Sequence, residues 1–313
     1  MSPPLVSIII PAFNAGRWLS ATIESALAQT HQHREIIVVD DGSVDDTLAL
    51  ASRYTGRGVQ VYAQFNRGAA RARNHGLAVA RGEYVQFLDA DDVLAPDKIA
   101  LQLARLAHAP IGSVASCAWG RFTYNPTAAV FTPEPTWRDT SGVDFLCLHY
   151  GAQGMMPPIA WLTPRALLDS AGPWREDLTL NDDGEYFCRV LLLSTGVVFC
   201  PGARAFYRSG HPGSLSRRGD STALRSLVRT IEANTAALLA YEDSPRVRQC
   251  AANAWLRLAH DIYAVLPREA ATAELQALAL GGSMLRVQGG RIVRWSERLF
   301  GWRAAAKLKL YRA

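Results

Sequence analysis

The order of apolar runs and amphipathic segments predicts an α/β protein: a doubly wound, mostly parallel sheet with helices on both faces, followed by a helical C-terminal region. Three observations carry this expectation. The first ninety residues alternate four short apolar runs with helix-spaced segments, as βαβ units do. Acidic or small polar residues follow three of those runs, at strand ends that a parallel sheet gathers on one rim. From about residue 220 the chain turns Ala-, Leu- and Arg-rich with a helical period.

Taken in order, "VSIIIPAF" (6–13) is continuously apolar, as a strand buried on both faces must be. "AGRWLSATIESALAQT" (15–30) spaces Trp18, Ile23, Ala26 and Leu27 for one helix face. "REIIVVDDGS" (34–43) is a second buried strand ending in acids and glycine. "VDDTLALASRY" (44–54) reads as a helix with acids in its first turn, where they suit the dipole. "VQVYAQ" (59–64), the helix-like "GAARARNHGLAVAR" (68–81) and "EYVQFLDA" (83–90) complete the alternation. "PDKIALQLARL" then reads as a helix with Pro96 near its first position.

Residues 110–160 are less regular. "SVASCAWGRFTYN" and "AAVFT" read as two strands joined at Asn125–Pro126, and a short strand is expected near Ile159–Thr163. "DDGEYFCRVLLLS" (182–194) reads as a helix with acids at its start, and "VVFCPGARAFYRSG" (197–210) as strand and loop. No internal repeat is present. The composition shift divides the chain into residues 1–220 and 221–313.

Nearly half of the 313 residues are hydrophobic, with eight Trp, enough for a sizeable core. The net charge of +5 suits anionic ligands or an anionic membrane surface. Cys117, Cys147, Cys188, Cys200 and Cys250 are odd in number and lack CxxC spacing, which points to reduced thiols in a reducing compartment and against a zinc site. The N-terminal stretch lacks the basic start of a signal peptide, and no run reaches about 18 apolar residues. A cytoplasmic location is expected, with any membrane contact peripheral, on the inner face.

Four constellations carry chemistry. Asp40 and Asp41 end the second strand, where an acid commonly receives a ribose hydroxyl or base edge; the bland alternative is a turn into a helix. The dinucleotide fingerprint GxGxxG is absent after strand one, where "PAFNAG" stands, so a dinucleotide cofactor is disfavoured. Asp89 and Asp91 are one residue apart at a strand end, and on an extended chain both would point the same way. Two such carboxylates make a hard-oxygen site for Mn²⁺ or Mg²⁺ once a diphosphate completes the shell; the bland alternative is a solvated acidic turn before the next helix. Arg67, Arg71 and Arg73 at a helix start suit phosphate, or form a solvated basic face. Asp182, Asp183 and Glu185 at another helix start offer a general base, or simply a cap. His211, in a Gly/Pro/Ser loop, is a further metal-ligand candidate, or an ordinary surface-loop histidine.

"VSIIIPAFNAGRWLSATIESALAQT", "EIIVVDDGSVDDT", "NRGAARARNHGLAVARGEYVQFLDADD" and "NDDGEYFCRVL" together resemble family 2 glycosyltransferases of the GT-A fold, over roughly residues 5–215 and in family order. The resemblance implies inverting transfer of a sugar from a nucleotide-diphosphate donor, UDP-linked first. By position, Pro11, Ala12 and Asn14 would line the nucleotide pocket. Asp40 would face the base, with Asp41 beside it. Arg73 would approach the nucleotide-sugar. Asp89 and Asp91 would be the DxD pair, Asp91 the more direct metal ligand and Asp89 nearer the ribose. Asp183 would be the catalytic base; Asp182 stands where many members have Glu, which leaves Asp182 as the alternative. No QxxRW-like stretch is present, so a single-addition enzyme of polysaccharide biosynthesis in the cell envelope is expected rather than a processive synthase.

The C-terminal residues 284–313 hold eight basic residues and one acid, Glu297. Ile292, Trp295, Leu299, Trp302 and Leu310 recur at helical spacing, so this segment reads either as a basic amphipathic helix on an anionic bilayer, suiting a lipid-linked glycan acceptor, or as a helix packed on the catalytic domain. Nucleic acid is not expected as a partner, because no recognition motif or basic patch with stacking aromatics is present. Two other functions compete: a catalytically silent nucleotide-sugar-binding scaffold at a membrane, and a sugar nucleotidyltransferase, for which "PAFNAGRW" is a poor triphosphate loop.

Overall fold

The computed structural model describes residues 3–152, 154–155, 157–210 and 219–310. Four strands, β1 (Val6–Ala12), β2 (Arg34–Asp40), β3 (Val59–Ala63) and β4 (Tyr84–Phe87), run parallel in the spatial order β3-β2-β1-β4. The crossovers are α1 (Leu19–Leu27), α2 (Thr47–Ser52) and α3 (Ala69–Val79). Alternation along the buried strands sorts the helices onto opposite faces. Ile9, Ile37 and Val39 pack with Ala70, Ala72 and Leu77 of α3, whereas Ile8, Ile10, Ile36 and Val38 pack with Leu19, Ile23 and Ala26 of α1. Each fully buried aliphatic side chain contributes about 1.5–3 kcal/mol. α3 lies so close to the sheet that a Cβ on Gly76 would stand 2.4 Å from Ile9 Cγ2.

A second sheet has the order β5-β8-β6, formed by β5 (Val93–Leu94), β6 (Ser113–Phe122) and β8 (Gly196–Arg208), with β6 and β8 parallel. The short β7 (Thr163–Pro164) pairs antiparallel with β4 and closes the first sheet. α4 (Lys98–Leu106) packs on β6 and β8, α5 (Gly142–Ala152) packs on α7 (Asp182–Leu193), and α6 (Arg165–Ala171) packs on α7 and β7. A buried polar link ties the two sheets together: Lys98 Nζ donates to Gln86 of β4 and to Gln102 Oε1 at 2.6 Å, and Gln102 Nε2 donates to the Ala115 carbonyl of β6 at 3.3 Å.

The fold is therefore the expected α/β class, with local departures. "AAVFT" is not a strand: Pro126–Ala128 form a 3₁₀ turn, and the return contributes one bridge pair, Arg121 with Val130. Proline fixes φ and lacks an N–H, so ladder pairing stops there. The segment near Ile159 is likewise a 3₁₀ turn at Pro158–Ala160, leaving only the two-residue β7. α2 begins at Thr47, so Asp45 and Asp46 precede the helix instead of occupying its first turn. Asp45 accepts from the backbone N–H groups of Gly16 and Thr47 and so joins the two rim loops. Pro96 sits one residue before Asp97, the N-cap of α4.

The C-terminal helices are α8 (Ser221–Tyr241), α9 (Pro245–Ile262), α10 (Pro267–Ala279) and α11 (Arg291–Leu310). Asp220 caps α8 and Ser244 caps α9 through side-chain oxygens. Leu224, Ile231 and Leu238 of α8 and Trp255 and Leu258 of α9 continue the same core as Phe145, Trp161 and Phe187. α11 is kinked at Gly301, whose φ of 79° belongs to the left-handed region. Among the described residues no helix is long and apolar enough to cross a membrane, and all five cysteines are free thiols.

Candidate active site

The parallel strands deliver the first rim residues. Pro11 and Ala12, at the end of β1, are buried and pair in register with Val39 and Asp40 of β2. Asn14 follows in a left-handed conformation (φ 48°); its N–H donates to Ser43 Oγ and its Oδ1 accepts from Val44 N, both at 2.9 Å. These bonds tie the loop after β1 to the loop after β2.

Asp40 and Asp41 are adjacent, both buried, and differently employed. Asp41 is consumed by the protein: Oδ1 accepts from Gln64 Nε2 (2.7 Å) and Arg67 N (2.9 Å), and Oδ2 from Gly68 N (2.8 Å). It therefore shapes the loop that launches α3. Asp40 accepts from Ser43 N at 3.2 Å through Oδ2, while its buried Oδ1 has no hydrogen-bond partner. Asp40 lines a cleft of about 1080 Å³ that continues past Gly42, Ser43, Phe65 and Arg67. A buried acceptor without a partner costs free energy unless a donor reaches it, so Asp40 is the better-poised ligand contact.

The "DADD" stretch is not extended. Asp92 N donates to the Asp89 carbonyl at 3.0 Å, closing a turn over residues 89–92, because β4 ends at Phe87 and the chain must reverse into β5. The expectation that Asp89 and Asp91 point together along a strand is corrected accordingly. The turn is held from below: Thr22 Oγ1 lies 2.9 and 2.8 Å from the Ala90 and Asp92 carbonyls. Arg208, at the end of β8, donates its N–H to Asp92 Oδ1 at 2.7 Å and its Nε to the Asp91 carbonyl at 2.8 Å, with its guanidinium 4.0 Å from the Trp18 ring. Asp92 is itself only 1% exposed, and its Oδ2 has no hydrogen-bond partner. Burial, with Asp91 and Asp89 adding like charge, holds its carboxyl well above the usual range.

Arg73 supplies the cation on the other side. It projects from α3, is nearly fully buried, and donates to Asp89 Oδ1 and to Asp182 Oδ2, each at 2.8 Å. Its guanidinium lies 4.5 Å from the centroid of Trp174, which stacks on Tyr186 at 4.1 Å. The two carboxylates raise its pKa further, so it stays charged. Arg73 thus joins the turn after β4 to Asp182 at the start of α7, 109 residues beyond Arg73 itself.

At α7 the N-cap is Asn181, in a left-handed conformation (φ 59°), which corrects the alternative that Asp182 or Asp183 caps the helix. Asp182 is committed to Arg73. Asp183 accepts from Gly184 N at 2.9 Å. Burial raises its carboxyl to about 7, assisted by Asp182 and Asp89 and opposed by Arg73. Glu185 points elsewhere: it accepts from Arg189 at 2.8 and 2.9 Å, and Arg189 in turn holds the Ala171 and Pro173 carbonyls. Of the three acids, Asp183 combines a position beside Arg73 with a proton affinity suited to exchange near neutrality.

The sequence-predicted residues therefore separate. Asp89, Arg73, Asp182 and Asp183 come together directly, and Asp91 lies in the same turn. Arg71 belongs to the other side of α3, where it pairs with Glu176 at 3.0 Å. His211 lies outside the described residues. Sequence reasoning missed Thr22, Trp174 and Arg208; the place of Arg208 near the end of "VVFCPGARAFYRSG" is its only signal. Among the described residues no group of three or more His, Cys, Asp or Glu is arranged to hold a metal. The surplus negative charge of the 89–92 turn, with the Asp92 carboxyl displaced upward, fits a hard divalent cation completed by ligand oxygens.

This fold and rim define the GT-A class of α/β proteins. Residues 7–157, just under half of the chain, match the family described as glycosyl transferase family 2. It is 44% identical over 100 residues to the UDP-Glc:alpha-D-GlcNAc-diphosphoundecaprenol beta-1,3-glucosyltransferase WfaP of Escherichia coli, covering 32% of this chain and 40% of that one. Residues 1–349 of TarS from S. aureus, in complex with UDP-GlcNAc, superpose with a TM-score of 0.72 at 17% identity, over 98% of this chain and 89% of that chain. The mannosyltransferase PcManGT of Pyrobaculum calidifontis, in complex with GDP-Man and Mn²⁺, superposes with a TM-score of 0.56 at 20% identity, over 99% and 88%. The chain spans half or less of the length of the curated relatives it matches.

Proposed function

We propose that this chain is an inverting, non-processive glycosyltransferase. It would move a sugar from a nucleotide-diphosphate donor, UDP-linked first, to a hydroxyl of a glycan or lipid-linked glycan acceptor. The observation that carries this reading is the Arg73 bridge, which sets the 89–92 turn and Asp183 on one rim. In this reading residues 1–220 are the nucleotide-sugar-binding catalytic domain, and residues 221–313 serve the acceptor and, through 284–313, a membrane surface.

Pro11, Ala12 and Asn14 would line the nucleotide pocket, with the unpartnered Oδ1 of Asp40 receiving an N–H of the base and Asp41 holding the loop beneath it. Arg73 and Asp89 would orient the nucleotide-sugar. Asp91 would hold Mn²⁺ or Mg²⁺, with His211 the second candidate ligand; the ion, when bound, offsets charge on the diphosphate. Asp183 would take the proton from the acceptor hydroxyl as that oxygen bonds to the anomeric carbon. The bond from that carbon to the diphosphate oxygen breaks on the opposite face, and its electron pair leaves with the nucleoside diphosphate. A single displacement of this kind inverts the centre.

UDP as the nucleotide is supported by the UDP-dependent relative and by TarS in complex with UDP-GlcNAc. Divalent-metal use is supported by the neighbour in complex with Mn²⁺. The test is Asp183→Asn, which keeps size and loses basicity. Donor binding should match the wild type while transfer falls by about 10²-fold or more. Near-normal turnover would remove Asp183 as the base.

A further inference from the structure

α8 carries a stripe of buried polar residues that ordinary core packing does not explain. Ser226, Thr230 and Asn234 are spaced i, i+4, i+8 on one helix face, and all are as deeply buried as the apolar neighbours Ala223 and Leu238. Buried polar groups need partners, and each of these finds one in the backbone segment that leads into α7. Ser226 Oγ accepts from Thr179 N at 2.9 Å and Leu180 N at 3.1 Å, and donates to the Leu180 carbonyl at 3.0 Å. Thr230 Oγ1 donates to the Asn181 carbonyl at 3.2 Å. Asn234 Nδ2 donates to the Gly184 carbonyl at 3.1 Å and to the Tyr150 hydroxyl at 2.9 Å.

The three side chains thus grip Thr179–Gly184 on both sides of Asn181. Asn181 needs such support. A left-handed residue other than glycine is disfavoured and, though asparagine tolerates that region best, it is held where its surroundings over-determine it. Its own side chain makes no capping bond, and a Cβ on Gly184 would stand 2.4 Å from its Oδ1, so the turn is closely fitted. Asp182 and Asp183 follow this residue directly, and their placement depends on its φ.

We propose that Ser226, Thr230 and Asn234 are positioning residues that set the catalytic base, which makes α8 part of the transfer machinery and not only a C-terminal appendage. The inference rests on the reading of Asp183 as the base. The three act through the backbone at 179–184, while the 89–92 turn, though linked to Asp182 through Arg73, keeps its own supports in Thr22 and Arg208, and the rest of the nucleotide side is built from β1 and β2. Their loss should therefore weaken turnover and spare donor affinity.

The experiment measures nucleotide release with water as acceptor, using the UDP- or GDP-sugar that raises the thermal midpoint of the wild type, with Mn²⁺. Thr230→Val preserves shape and removes the donor to Asn181; Thr230→Ser keeps the hydroxyl. For Thr230→Val the expected result is a kcat about 10- to 100-fold lower at a donor KM within about twofold of wild type. Thr230→Ser should return kcat to within about threefold. Ser226→Ala is the second variant, should Thr230→Val not fold. A folded variant with wild-type kcat, a joint fall in kcat and donor affinity, or equal behaviour of the Val and Ser variants would each overturn the proposal. Asp183→Asn is measured alongside. If it stays active, the base reading fails and takes this inference with it. If it is inactive while Thr230→Val matches wild type, only the positioning role fails.

Discussion

Arg73 donates to Asp182 at 2.8 Å and to Asp89 at the same distance, so one buried guanidinium holds the donor side and the base side of the rim together. Removing it leaves two carboxylates and the neighbouring Asp183 uncompensated. Arg73→Met should cost about 3–5 kcal/mol of stability, read from the denaturant midpoint, and abolish transfer. Arg73→Lys should also lose most activity, because an ammonium cannot span both carboxylates and stack on Trp174. A Lys variant with wild-type activity would show that charge alone suffices.

The Asp183 carboxyl, raised to about 7 from an ordinary value near 3.8, has a definite pH signature. Between those values the folded state binds the proton and the unfolded state does not. Its stabilisation is therefore present below about pH 4 and is lost as pH rises through 7. Asp183→Asn escapes that loss, so its thermal midpoint should exceed that of the wild type at pH 8, with the gap narrowing toward pH 4. Turnover of the wild type should rise with pH through about 7, as the base becomes free to accept a proton.

Asp40 and Asp41 should separate cleanly. Asp41→Ala strands the N–H groups of Arg67 and Gly68 and the Gln64 amide, and should cost about 3 kcal/mol of stability. Asp40→Asn disturbs one bond, from Ser43, and should leave stability within about 1 kcal/mol while weakening nucleotide binding about tenfold or more. Titration calorimetry beside a melting curve reads both effects.

Residues 284–313 carry eight basic residues against one acid, a net +7, whereas the remaining 283 residues, with 25 basic against 27 acidic, carry −2. On α11, Ile292, Trp295 and Leu299 form a stripe at i, i+3, i+7, exposed 47%, 61% and 56%, flanked by the exposed Arg291 and Arg298, while Val293 and Ser296 face inward. The protein should co-sediment with phosphatidylglycerol vesicles and not with phosphatidylcholine, and release as salt rises. Trp295→Ala with Leu299→Ala should weaken that binding several-fold. Equal binding to both vesicles, or none, would assign the stripe to another partner.

Much of this was legible in the sequence because it rests on local pattern. The strands β1 to β4 are continuous apolar runs, and the acids at 40–41, 89–92 and 182–183 stand where such runs end or a helix begins. What stayed illegible depends on contacts between distant segments. Nothing near Arg73 says that it reaches Asp182 while Arg71, two residues earlier, reaches Glu176 on the other side of the helix. The DxD stretch read as extended because strand periodicity says nothing about where pairing with β1 stops. Trp174 and Arg208 became visible only once β8 and the segment before α7 had folded back onto the rim. The period of Ser226, Thr230 and Asn234 was present in the sequence, but exposed and buried polar helix faces look alike until a partner is known.

The central claim is that the 89–92 turn and Asp183 form a nucleotide-sugar transfer centre. It is tested most directly by the thermal midpoint of the intact chain against UDP-, GDP-, dTDP- and CDP-compounds, each with Mn²⁺ or with EDTA. A ligand that binds only the folded state at about 100 times its Kd adds about 2.7 kcal/mol. The expected result is a rise of several degrees with a UDP compound that disappears in EDTA and in Asp91→Asn. No rise with any nucleotide, or a rise indifferent to metal and to Asp91, would contradict it.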